Sequence, residues 1–277
     1  MSINQPSVGE STYALGHVDA EIRRLLLQAR LYDDFTEHAL RLAGLRPGMR
    51  VLDVGCGPGD VSFIAARLVG PQGSVLGVDA APDIVDLARV RAAKKGLETV
   101  RFKASTIADL RLDEPVDAVI GRLILMHLPD PESALRDLAA MVRPGGLVAF
   151  CEADTTGVYS YPDLPLWQTV KGEINNVFRE AGFDPTFGGK LDMLFRRAGL
   201  SAPELRLGAP LGRADGDDMV DYVVESWRSL LPLAERLDAI PGELTDLDTL
   251  AQRLRDEAVG AQAIIAMSSM ICASSQV

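Results

Sequence analysis

The chain has 277 residues, 47% hydrophobic and 24% charged, enough for one large α/β domain with additions or for two modest domains. Its 28 basic and 39 acidic side chains leave a formal charge of −11, which disfavours a nucleic-acid partner, and the basic pairs Arg23-Arg24, Lys94-Lys95 and Arg196-Arg197 stand isolated. The three cysteines Cys56, Cys151 and Cys272 are odd in number and far apart, which argues against a disulfide framework or a metal site and suits a reducing cytoplasm. A membrane span is not expected, since no apolar run reaches roughly 18 residues, and the polar start lacks a signal-peptide pattern.

In chain order, residues 1–12 are polar. Apolar periodicity predicts a helix over 19–30, with Ile22, Leu25, Leu26 and Ala29 on one face, and a second over 33–44. A short apolar strand at 50–54 precedes a helix carrying Phe63, Ile64 and Leu68. A second strand spans 74–78, and Pro82 opens the next helix, with Ile84, Leu87, Ala88 and Ala92 inward. Strands follow at 99–104, 116–120 and 147–152, with a helix at 131–142 closed by Arg143-Pro144-Gly145-Gly146. This alternation predicts a doubly wound, mostly parallel α/β sheet. Beyond it, 154–166 reads as a loop, 167–181 and 189–198 as helices, 203–207 as a strand, and 216–233 and 244–258 as helices. Residues 263–273 form a last strand of poor alternation. The expected organisation is a helical lid over 1–44, a core over 45–210 with a cap loop and helix within 153–185, and a helical insertion with a last strand over 211–277.

The segment Gly55-Cys56-Gly57-Pro58-Gly59 lies between a strand and a helix, where glycines let the backbone turn sharply and approach a ligand. Asp79 ends the second strand 20 residues after Gly59, where a nucleoside-binding fold places an acid for ribose hydroxyls. The spacing is G-x-G-x-G rather than the dinucleotide G-x-G-x-x-G, and Asp53 stands two residues before it. An acid is unfavourable beside a diphosphate and favourable beside an ammonium. The spacing therefore suits a ligand with a nucleoside at one end and an amino acid at the other.

Asp53 to Gly59 resembles the first motif of class I S-adenosylmethionine-dependent methyltransferases, and Gly77-Val78-Asp79 resembles their second. Leu125-Met126-His127-Leu128-Pro129-Asp130-Pro131 and Val142-Arg143-Pro144-Gly145-Gly146-Leu147 resemble the helix after strand four and the turn before strand five. The likeness covers about residues 30–152 and is nearest to bacterial small-molecule methyltransferases of the ubiquinone/menaquinone type. It implies a Rossmann-like seven-stranded sheet with a helical cap, S-adenosylmethionine as cofactor and S-adenosylhomocysteine as product. By the same resemblance, Gly55 and Gly57 pass the methionine part, Asp53 lies near its amino group and Asp79 takes the ribose. Ala80 and Ile84 pack by the adenosine, and Ser105-Thr106-Ile107 borders the adenine. Arg122 faces the methionine end, and Tyr13 and Gln28 correspond to lid residues.

Methyl transfer needs a base only for some acceptors. The candidates are His127, which also reads as a packing histidine, and Glu152, which reads equally as a solvated acid. Tyr159, Tyr161 and Trp167 are candidate walls of an acceptor pocket, whereas Tyr222 and Trp227 fit a packed helix face. The expected activity is methylation of O, N or C on a small-molecule acceptor, with neither nucleic acid nor membrane as partner, and compatible with a homodimer. The alternatives are an NAD-dependent oxidoreductase and a cofactor-binding protein that transfers no methyl.

Overall fold

A computed structural model describes residues 18–213, 217–237 and 240–277, so Tyr13 lies outside the described residues. The two expected N-terminal helices are one, α1 (Val18–Ala43). Leu31 and Tyr32, between the two apolar patterns, include neither glycine nor proline, so nothing interrupts the backbone ladder.

The chain then alternates through β1 (Arg50–Val54), α2 (Asp60–Val69), β2 (Ser74–Asp79), α3 (Pro82–Lys94), β3 (Val100–Ala104), β4 (Val116–Arg122), α4 (Pro131–Ala140) and β5 (Val142–Asp154). Asp130 caps α4 by accepting from the Ser133 N–H, and Pro131 supplies its first turn. β5 starts earlier than expected. Val142 pairs with Val116 and Leu147 with Ala118, so Arg143-Pro144-Gly145-Gly146 bulges from the ladder instead of preceding it.

Next come β6 (Tyr159–Tyr161), α5 (Pro165–Glu180), α6 (Leu191–Arg197), β7 (Glu204–Gly208), β8 (Leu211–Arg213), α7 (Asp217–Arg236), α8 (Leu247–Gly260), β9 (Ile264–Ala266) and β10 (Ser269–Gln276). The single strand expected at 263–273 is two strands in two sheets, which accounts for its poor alternation. The main sheet runs β3-β2-β1-β4-β5-β10-β7. Its first five strands are parallel, and β10 is antiparallel to both neighbours. β6, β9 and β8 form a small antiparallel sheet that the sequence pattern did not reveal.

Strand order reverses between β1 and β4, and the loops after these two strands diverge to leave a crevice at their carboxyl ends. Alternate residues of β1 feed opposite cores: Val51 packs with Ile64 and Ala88, and Leu52 with Leu138 and Phe195. A third core, containing Trp167, Val177, Val220, Trp227 and Leu254, holds the cap together. Cys151 and Cys272 are 121 residues apart in sequence but directly opposed across β5 and β10, where they form a disulfide. Strand pairing thus overturns the expectation of unpaired cysteines, leaving Cys56 as the free one. Among the described residues no helix is long and apolar enough to cross a membrane.

Candidate active site

The glycine loop joins β1 to α2 in the crevice. Gly55 and Gly57 have φ of 64° and 51°, a region that side chains other than glycine rarely occupy. A Cβ on Gly55 would also collide with Ile124, whereas one on Gly57 would meet open space beside the cleft that both glycines line. Asp79 ties this loop to β2. One carboxylate oxygen accepts from the Gly57 N–H at 3.0 Å and the other from the Ala81 N–H at 3.0 Å.

Asp53 lies beneath the loop, 1% exposed. Its Oδ2 accepts from the Ser62 hydroxyl at 2.6 Å, and its Oδ1 has no protein partner. Burial pushes its carboxyl up to about 7, against the pull of Ser62 and the Arg122 charge. Arg122 ends β4 and donates to Asp33 and to the Thr36 hydroxyl, both at 2.9 Å, so α1 fixes its guanidinium.

The turn after β4 is strained. Leu123 has φ of 56°, and its N–H donates to the Cys151 carbonyl at 2.9 Å. Glu152 secures the following residues: its Oε1 accepts from Ile124 N–H at 3.0 Å and Leu125 N–H at 2.8 Å. Complete burial pushes Glu152 up to about 8, offset in part by those N–H groups. The turn delivers His127 to the cleft, edge-on to Phe183 at 5.1 Å between ring centres. Desolvation by the cleft wall first, and then the Arg24 charge, lowers His127 to about 4, although the residue keeps an exposed edge.

The cleft has about 920 Å³ of empty space, part of it open to solvent. It gathers Gln28 and Tyr32 from α1, Gly55, Gly57, Arg122 and His127 from the sheet edge, and Phe178 and Phe183 from the cap. A second chamber of about 630 Å³ shares Arg24, Thr155, Phe178, Tyr222 and Ser268 with it. Ala80 after β2, Ile84 in the first turn of α3, and Ser105, Thr106 and Ile107 after β3 lie outside this cleft. The Ser105 N–H donates to the Asp79 carbonyl at 2.9 Å, so they continue the edge on which Asp79 stands.

The sequence model for a methyltransferase domain matches residues 45–182. Residues 45–182 form a class I methyltransferase domain. Over 122 residues it is 38% identical to an arsenite methyltransferase of Halobacterium salinarum, covering 44% of this chain and 31% of that protein. Over 102 residues it is 40% identical to a ubiquinone biosynthesis O-methyltransferase of Xanthomonas campestris, covering 36% and 41%. The fold matches the crystal structure of a putative methyltransferase from Bacillus halodurans with a TM-score of 0.56 and 17% identity, over 87% of this chain and 97% of that one. The chain spans less than half the length of the curated relatives it matches.

This methyltransferase fold removes the ground for the dinucleotide alternative, and its geometry revises several expected roles. Glu152 is not among the residues lining the cleft; it braces the turn beneath it. Asp154 accepts from the Thr156 N–H and hydroxyl, a local loop contact. Trp167 lines the chamber, but Tyr159 and Tyr161 are 50% and 74% exposed on the small sheet and do not. Tyr222 packs against the cap core as expected but also lines both cavities, whereas Trp227 is fully buried and donates to the Leu244 carbonyl. Arg24, Phe178, Phe183 and Ser268 carry no local motif. Only the folding of α1, α5 and the β9–β10 connection onto the sheet edge assembles them.

Proposed function

We propose that the chain transfers a methyl group from S-adenosylmethionine to O, N or C of a small molecule enclosed by the cap. One observation carries this reading: the glycine loop opens into a cleft that continues into a chamber walled by the cap. The residues present fit the cofactor. Gly57 offers backbone with open space where a Cβ would stand, and Asp53 keeps an unpartnered buried oxygen beside the loop. A ligand ammonium near Asp53 would favour its ionised form, which burial alone opposes.

In this reading Gly55 and Gly57 hold the methionine part, with Arg122 and Gln28 beside it. Asp79 keeps a further lone pair on each oxygen for ribose hydroxyls. Ala80, Ile84, Ser105, Thr106 and Ile107 pack along the adenosine, and Tyr13 belongs to the lid. When bound, the cofactor supplies a methyl activated by its sulfonium. The protein's own work is to orient the acceptor in line, an effect of up to roughly 7–11 kcal/mol. His127, neutral at pH 7, is the proton acceptor for a hydroxyl or acidic-carbon acceptor, and Glu152 positions the turn that carries it. The division into a lid (1–44), a core (45–210) and an insertion with the last strand (211–277) belongs to this reading. The named relatives act on chemically unrelated acceptors, arsenite and a ubiquinone precursor, so similarity does not select one. The charge of −11 supports a small-molecule rather than a nucleic-acid partner. A cytoplasmic location loses its cysteine argument through the Cys151–Cys272 pair.

Calorimetry tests the site. Asp79→Ala should weaken S-adenosylmethionine binding at least about tenfold, since it removes both the ribose acceptor and the tie to Gly57. Unchanged affinity would overturn the ribose assignment.

A further inference from the structure

We propose that the chamber under the cap selects an acceptor with an apolar body and one anionic oxygen group, and that Lys171 receives that group. The inference rests on the methyltransferase reading for the word acceptor, but its evidence is the chamber wall. That wall is apolar over Val158, Trp167, Ile174, Phe178, Val223 and Met267. Its charged residues are Arg24 and Lys171, both cationic, in a chain whose acids outnumber its bases by 39 to 28.

The two cations differ. The Arg24 guanidinium makes two bonds to the Glu21 carboxylate, at 2.8 and 2.6 Å, and a third to Gln28, so its charge is balanced. Lys171 donates to the Val158 carbonyl at 2.5 Å and forms no ion pair among the described residues. An ammonium has three donors, so two remain. Asn175, one helical turn on along α5, accepts from the Thr155 hydroxyl at 2.6 Å through its carbonyl oxygen, which leaves its amide N–H groups as donors. Ser226 and Ser229 spend their hydroxyl hydrogens on backbone carbonyls and add no donor, but the Trp167 indole N–H has no acceptor and joins Lys171 and Asn175. The wall therefore has surplus donors and surplus positive charge. A cationic ligand meets repulsion there, and a neutral one leaves Lys171 without a counter-charge. Lys171 lines the chamber and not the cleft, so the anion is held away from the glycine loop and the opposite end of the acceptor faces it.

The test uses three probes of one shape: 1-naphthoate, 1-naphthamide and 1-naphthylmethylamine. Each is titrated calorimetrically into the wild-type protein, Lys171→Met and Lys171→Arg. The wild type should bind naphthoate at least about tenfold more tightly than the amide, and the amine least. Lys171→Met should lose this preference while still binding the amide, and Lys171→Arg should keep it. Equal binding of amide or amine by the wild type, a preference that survives in Lys171→Met, or no binding of any probe would overturn the proposal. S-adenosylmethionine is titrated into the same proteins. Unchanged cofactor binding by Lys171→Met shows that the variant is folded. Failure of the wild type to bind the cofactor would overturn the methyltransferase reading, whereas loss of the naphthoate preference alone overturns only this one.

Discussion

A buried carboxyl at the turn after β4 makes stability depend on pH. Glu152 is raised from its usual 4.5 to about 8, so its contribution to stability is full below the unfolded value and is lost as pH rises through about 8. Urea unfolding of Glu152→Gln should therefore show a shallower loss of stability between about pH 5 and pH 8 than the wild type. Asp53, raised to about 7, retains part of that slope. An identical slope in the variant would contradict the buried-acid role. Asp53, Gly57 and Asp79 could be proposed from the sequence because their spacing along β1, the loop and β2 is local. The role of Glu152 could not, since it depends on β5 lying beside β4 and on a turn held open at Leu123.

At the scale of elements, the alternating core was readable strand by strand, because each strand is a short apolar run beside a helix with its own face. The cap was less readable for a physical reason. β6, β8 and β9 have three residues each, too few to show a period, and they pair across long stretches of chain. The Cys151–Cys272 pair has the same origin. Thiol labelling of denatured protein without reductant should find one reactive cysteine, Cys56, rising to three after reduction. Three before reduction would contradict the pairing. The cap core centres on Trp227, so Trp227→Ala should cost about 3–5 kcal/mol in chemical unfolding, and a cost below about 1 kcal/mol would show that α7 is not anchored there.

For the whole molecule, the division between legible and illegible follows the division of labour. The glycine loop and Asp79 belong to the parallel part of the sheet, and the family match ends at residue 182. α7 and the β9–β10 connection, which close one side of the chamber, lie beyond that match. The glycine loop and Asp79 therefore lie in contiguous motifs, whereas the chamber wall is assembled from distant elements. The central claim is that the loop at Gly55–Gly59 receives an aminoacyl nucleoside and not a dinucleotide. Its most direct test is calorimetric titration of the wild-type protein with S-adenosylhomocysteine and, in parallel, with NADH. S-adenosylhomocysteine should bind at a single site per chain, and at a hundredfold excess over its dissociation constant it should add about 2.7 kcal/mol to stability, with no heat from NADH. Saturable binding of NADH without binding of S-adenosylhomocysteine would contradict the account.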